Sequence, residues 1–118
     1  MGAPVAFFEV ISDNPDLIRD FYTQLFGWTV ADSGQPGYWV VDTGAGLDGI
    51  GGGIGAPQRG QPAGRTTLYI RVDDLQAYLD KAERLGGKTL VPPSPLPANW
   101  GSFAIFTDPD GQLVGLWA

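Results

Sequence analysis

The chain repeats itself. Residues 5–30, VAFFEVISDNPDLIRDFYTQLFGWTV, align without gaps on residues 65–90, RTTLYIRVDDLQAYLDKAERLGGKTL, at a shift of sixty. Asp13 falls on Asp73, Asp20 on Asp80, Leu25 on Leu85, Gly27 on Gly87 and Thr29 on Thr89. The two stretches also share one structural grammar, and a repeat of this kind limits the fold to two copies of one unit.

Each copy opens on an alternating, extended run and passes into a helix. Asn14 is placed to cap the first helix, and Pro15 stands at its first position, where a missing N–H costs nothing. Leu17, Ile18, Phe21, Tyr22 and Leu25 form an apolar stripe at helical spacing. In the second copy Asp73 or Asp74 caps, and Leu75, Tyr78, Leu79, Ala82 and Leu85 make the stripe. Gly27 and the pair Gly86–Gly87 suit the left-handed residue that ends a helix. Three short strand-like runs follow each helix, at 28–32, 38–43 and 49–55, and at 88–91, 100–107 and 112–118. The pattern predicts an α+β fold, βαβββ twice. One domain spans 1–118, with module one at 1–56, a polar Pro/Gly linker at 57–64 and module two at 65–118.

Strand alternation sorts the side chains. Phe8 and Val10, with Leu68, Ile70 and Val72, form the face that should carry the helices. The opposite face presents Phe7, Glu9 and Ile11 in the first copy and Thr67, Tyr69 and Arg71 in the second. Two curved mixed sheets related by a pseudo-twofold would enclose a cavity between those second faces, and that cavity is the expected ligand site. Trp117 shares the face of Gly115, two residues before it. Trp39 or Tyr38, with Trp100 and Phe103, are further candidates for the lining. Aromatic walls suit flat hydrophobic ligands.

Composition excludes several chemistries. The sequence has neither Cys nor His, so thiolate nucleophiles, disulfides, Ser-His-Asp triads and His-containing metal sites are all ruled out. A net charge of −6 argues against nucleic acid as a partner. No apolar run is long enough to span a membrane, and the N-terminal MGAPVAFFEV lacks the form of a signal peptide, so a cytoplasmic location is expected. DPDG at 108–111 lacks the spacing of a calcium loop and reads as a tight turn. GIGGGIG at 49–55 is followed by APQRGQP rather than by a helix, which argues for strand curvature rather than phosphate binding.

The ordered motifs DNPDLIRDFYTQLFGW and TDPDGQLVGLW resemble the vicinal oxygen chelate superfamily of glyoxalase I, extradiol dioxygenases and bleomycin-resistance proteins, in its glyoxalase-like branch. The likeness covers essentially the whole chain. It implies the glyoxalase/bleomycin-resistance fold. Metal-binding members of that superfamily carry His or Gln seven residues before the helix cap; counting back from Asn14 and Asp74 gives Phe7 and Thr67. The C-terminal Glu ligand falls on Gly115, and the remaining ligand strand, 49–55, offers no ligating side chain. The resemblance therefore implies no metal and no cofactor at Phe7, Thr67 and Gly115. It implies instead the binding of a small aromatic or hydrophobic molecule, as drug-sequestering relatives bind theirs, through Phe7, Glu9, Ile11, Trp39, Thr67, Tyr69, Arg71, Trp100, Phe103 and Trp117. A homodimer is the implied assembly. The alternative is a metal-free isomerase, cyclase or lyase using Glu9 and Tyr69 as acid and base.

Overall fold

The computed structural model describes residues 2–44, 49–57, 62 and 64–118. Among these residues, eight strands and two helices follow the order β1 (Val5–Ile11), α1 (Pro15–Phe26), β2 (Thr29–Asp32), β3 (Tyr38–Asp42), β4 (Gly51–Gly55), β5 (Arg65–Arg71), α2 (Leu75–Arg84), β6 (Lys88–Pro95), β7 (Ser102–Thr107) and β8 (Leu113–Trp117). The pattern is βαβββ twice, and the sheet is mixed. In each module the first strand runs parallel to the last, β1 beside β4 and β5 beside β8, while the other pairings within the module are antiparallel. The chain divides into two compact units, Ala6–Thr67 and Leu68–Ala118, the latter joined by Met1–Val5. Most of the linker expected at 57–64 lies outside the described residues.

In the first unit the strand order is β2-β3-β4-β1. Phe8 and Trp28 sit on the side of α1, with ring centroids 5.5 Å apart. Tyr22 stacks on Trp28 at 5.5 Å and on Phe26 at 6.0 Å, so the FYTQLFGW motif is an aromatic cluster that ties the end of α1 to the sheet. Gly27 ends the helix at φ 71°, a left-handed conformation that a side chain would oppose. Asn14 occupies the N-cap, as expected, but its side chain makes no capping bond; its own N–H donates to Ser12 Oγ at 2.9 Å. The expected apolar stripe is split. Ile18 and Tyr22 are half-buried, whereas Leu17, Phe21 and Leu25 are exposed, and α1 buries no residue fully.

In the second unit the order is β5-β8-β7-β6. Val72, Leu75, Leu79, Ala104 and Leu116 form a buried core, with Ile70, Phe106 and Ala118 packed against it. Asp74 is the cap of α2, its Oδ1 accepting from Ala77 N–H at 3.0 Å. Leu68, expected on the helix-carrying face, is exposed. β6 runs on to Pro95 instead of stopping at 91, although Pro92, Pro93 and Pro95 cannot donate to a ladder. It lies at the end of the strand order, and its pairing with β7 shifts register twice, which is where a sheet tolerates proline. The 108–111 turn is held by Asp108, whose Oδ1 accepts from the N–H of Asp110 and of Gln112, both at 2.9 Å. This carboxylate is spent on the backbone, as a structural turn requires.

Candidate functional site

Each module has one face covered by its helix and one free of it. In the first unit the helix-free face is set by register. Glu9 pairs with Gly53 and Ile11 with Gly55 across β1 and β4; Tyr38 pairs with Gly55 and Val40 with Gly53 across β3 and β4. Directly paired residues share a face, so Phe7, Glu9, Ile11, Tyr38 and Val40 stand over a floor of glycines at 51, 53 and 55. The Tyr38 ring lies flat across that floor: a methyl group built on Gly53 or Gly55 would overlap it. From there its hydroxyl donates to Glu9 Oε2 at 2.7 Å. Glu9 is only 8% exposed, so this charge-assisted bond matters to a carboxylate largely withdrawn from water.

Trp39 does not share this face. The one-residue step along β3 that brings Tyr38 over the glycines turns Trp39 toward α1, where the Arg19 guanidinium lies 4.6 Å from the indole centroid. Hydrogen bonding to Asp20 raises the pKa of Arg19 above its already high value, so this cation is permanent. Of the pair weighed from the sequence, Tyr38 is therefore the residue beside Glu9. Register with the glycine strand selects it, and the sequence of β3 alone carries no sign of that register.

In the second unit the helix-free face carries Tyr69, Arg71, Phe103, Ile105, Gly115 and Trp117, as the pairings Tyr69 with Gly115, Arg71 with Trp117, Ile105 with Gly115 and Phe103 with Trp117 require. The Tyr69 ring covers Gly115 closely enough that a Cβ there would overlap it. Tyr69 and Ile105 are buried, as is Thr67 nearer the start of β5, while Arg71 remains exposed. The Arg71 guanidinium lies over the Trp117 indole at 3.9 Å. Trp117 Nε1–H donates to the carbonyl of Trp100 at 2.6 Å, and the Trp100 side chain is 38% exposed. Of the ten residues expected to contact a ligand, Phe7, Glu9 and Ile11 thus share one module's helix-free face. Tyr69, Arg71, Phe103 and Trp117 share the other's. Trp100 joins the latter through its backbone.

A divalent metal does not fit these residues. Phe7 has no donor atom, and Thr67 offers at most a hydroxyl. Gly115 lies beneath the Tyr69 ring, so a glutamate there could not project without displacing it. Gly53 lies beneath Tyr38 in the same way. Among the described residues, no three acidic side chains gather into a cation site.

Comparison with known proteins agrees with the fold. Residues 5–116 match the family model of the glyoxalase/bleomycin resistance protein/dioxygenase superfamily. The chain is 38% identical over 103 residues to "Putative glyoxylase CFP32" of Mycobacterium bovis, covering 84% of this chain and 39% of that protein. It is 33% identical over 131 residues to "Anthracycline biosynthesis protein DnrV" of Streptomyces peucetius, covering 98% of this chain and 46% of that one. It therefore spans less than half the length of these curated relatives. Among solved structures, a glyoxalase/bleomycin resistance protein/dioxygenase superfamily member from Vibrio splendidus aligns over 98% of this chain and 97% of its own, with a TM-score of 0.62 at 13% identity. The Mn(II)-bound glyoxalase from Novosphingobium aromaticivorans aligns over 98% of this chain and 38% of its own, with a TM-score of 0.62 at 18% identity. At such identities these structures speak for the fold alone.

Proposed function

We propose that this chain, which belongs to the glyoxalase/bleomycin resistance protein/dioxygenase superfamily, binds a small, planar, largely aromatic molecule without a metal ion. The observation that carries this reading is the tyrosine ring laid over glycine on each helix-free face, Tyr38 over Gly53 and Gly55, and Tyr69 over Gly115. Where the resemblance puts a metal-ligating carboxylate, this chain has a glycine with an aromatic ring upon it. The half-buried aromatics on these faces, Phe7, Tyr38 and Trp117, offer offset stacking and little that would ligate a cation. Stoichiometric sequestration, as in the drug-binding branch of the superfamily, is the role this chemistry suits, with a homodimer as the assembly and the cytoplasm as the compartment. The name of the Streptomyces peucetius relative adds a ligand class, the fused planar rings of an anthracycline.

The test combines native mass spectrometry of protein purified without chelator with a titration by 1,4-dihydroxyanthraquinone, read by tryptophan fluorescence. A metal-free protein that takes up one dye per site supports the reading. A stoichiometric divalent metal, or no uptake of the dye, overturns it.

A second reading is favoured by one bond. The contact from Tyr38 to the withdrawn Glu9 carboxylate gives an acid and a base in a single pair, the minimum for proton transfer in a metal-free isomerase, cyclase or lyase. Tyr38 adds an acid partner for Glu9 to the pair of Glu9 and Tyr69 that the sequence suggested. Glu9→Gln separates the two readings: an enzyme loses turnover of its substrate by roughly 100-fold or more, whereas a binder keeps dye affinity within a few-fold.

A further inference from the structure

We infer that Arg71 and Trp117 form an anchor for a carboxylate or similar planar anionic group, so that the ligand is an aromatic acid rather than a neutral hydrocarbon. The inference rests on the reading of this face as an aromatic binding surface and narrows its ligand class.

Arg71 is the last residue of β5 and pairs with Trp117 on β8. Its guanidinium carbon lies 3.9 Å from the centroid of the Trp117 ring. Stacking uses one flat side of the guanidinium and leaves the N–H donors, which lie in its plane, directed away from the indole. The stack also fixes a long side chain that would otherwise lose rotamer freedom on binding a ligand. The indole is fixed in turn, because its Nε1–H donates to the Trp100 carbonyl at 2.6 Å and Phe103 is its cross-strand neighbour. Among the described residues no carboxylate lies within ion-pair distance of Arg71; the ion pairs found there are both made by Arg19. A pre-oriented, exposed fork of donors matches a carboxylate in two parallel hydrogen bonds.

Tyr69 supplies the other half of the geometry. It lies two residues back on the same face, about 7 Å along the strand, with its ring on Gly115. Tyr69 is 6% exposed, so that separation bounds the ligand: a fused bicyclic acid with its acid group at Arg71 ends where the buried ring begins. The net charge of −6 opposes an anion at long range. At physiological salt such fields fade beyond about 8 Å, so the contact charge decides selectivity while the surface only slows approach.

Isothermal titration calorimetry with 2-naphthoate and its neutral isostere 2-naphthamide tests the anchor, on the native protein and on R71Q and R71K, with thermal melts to check folding. Arg71 is exposed, so both variants should fold, with R71Q lowering the melt by no more than a few degrees through loss of the contact with Trp117. The expected result is naphthoate binding at least ten-fold tighter than naphthamide, a preference lost in R71Q and only partly kept in R71K. Equal affinities for both probes in the native protein overturn the anchor and leave aromatic binding standing, as does a naphthoate preference that survives in R71Q. Binding of neither probe removes the premise and overturns both.

Discussion

The Tyr38 hydroxyl donates to Glu9 Oε2 at 2.7 Å from a ring that lies across two glycines of the neighbouring strand. Three strands must be in register for that bond to form: Glu9 on β1, the glycine floor on β4 and Tyr38 on β3. Tyr38 and Gly53 can be changed separately, and each change breaks the bond by a different route.

Tyr38→Phe keeps the ring on the glycines and removes the hydrogen bond to Glu9. Taking one partner from a largely buried polar pair costs about 1–3 kcal/mol. Urea denaturation should show that loss with an unchanged m-value, because the surface exposed on unfolding stays the same.

Gly53→Ala attacks the same bond from beneath. The added methyl overlaps the Tyr38 hydroxyl and ring, so the ring must lift and Glu9 loses the bond from Tyr38. The cost should be about 1–3 kcal/mol, the range for overpacking, and it should add only in part to that of Tyr38→Phe, since the hydrogen bond is lost once while the overlap with the ring remains. A double-mutant cycle by urea denaturation measures this; full additivity would show that Gly53 does not act through Tyr38.

Gly115→Glu restores the carboxylate found in metal-binding members of the superfamily. It should nevertheless create no metal site, because the new side chain meets the Tyr69 ring and Thr67 and Phe7 remain poor donors. The expected result is a lowered melting temperature that Mn(II), Ni(II) and Zn(II) fail to raise in differential scanning fluorimetry. Metal-dependent stabilisation would contradict the fit argued above.

The two helices should respond differently to truncation. Leu79 of α2 is fully buried in the core with Val72, Leu75, Ala104 and Leu116, so Leu79→Ala should cost about 2–5 kcal/mol. Leu17 of α1 is 61% exposed, and Leu17→Ala should stay within about 0.5 kcal/mol of the native protein. The caps follow the same division. Asp74→Ala removes a bond to Ala77 N–H and should cost about 1 kcal/mol, while Asn14→Ala removes no side-chain capping bond and should cost little. Chemical denaturation of the four variants measures the set.

Local rules made the architecture legible. The sixty-residue repeat, Pro15 at a helix start, Gly27 at a helix end and the DPDG turn each act over a few residues, and the structure forms them where the sequence indicates. Alternation also sorted Glu9 and Ile11 from Phe8, and Tyr69 and Arg71 from Ile70, because a strand has only two faces. The absence of His and Cys, and the glycine at 115, could be read directly and already narrowed the chemistry.

What the tertiary structure alone decided was neighbourhood. Tyr38 and Trp39 are adjacent aromatics on one strand, and nothing local says which of them meets Glu9; pairing of β3 with the glycine strand chooses Tyr38 and turns Trp39 beneath Arg19. Likewise Leu17 and Phe21 fit a helical apolar stripe as well as Ile18 does, yet only the latter side of α1 has a sheet to pack on. The proline-bearing end of β6 reads as a strand breaker until its position at the end of the strand order is known. Periodicity is set by backbone geometry within one segment, so a sequence displays it. Register and partner choice are set by the joint packing of segments far apart in the chain, and only the folded chain contains them.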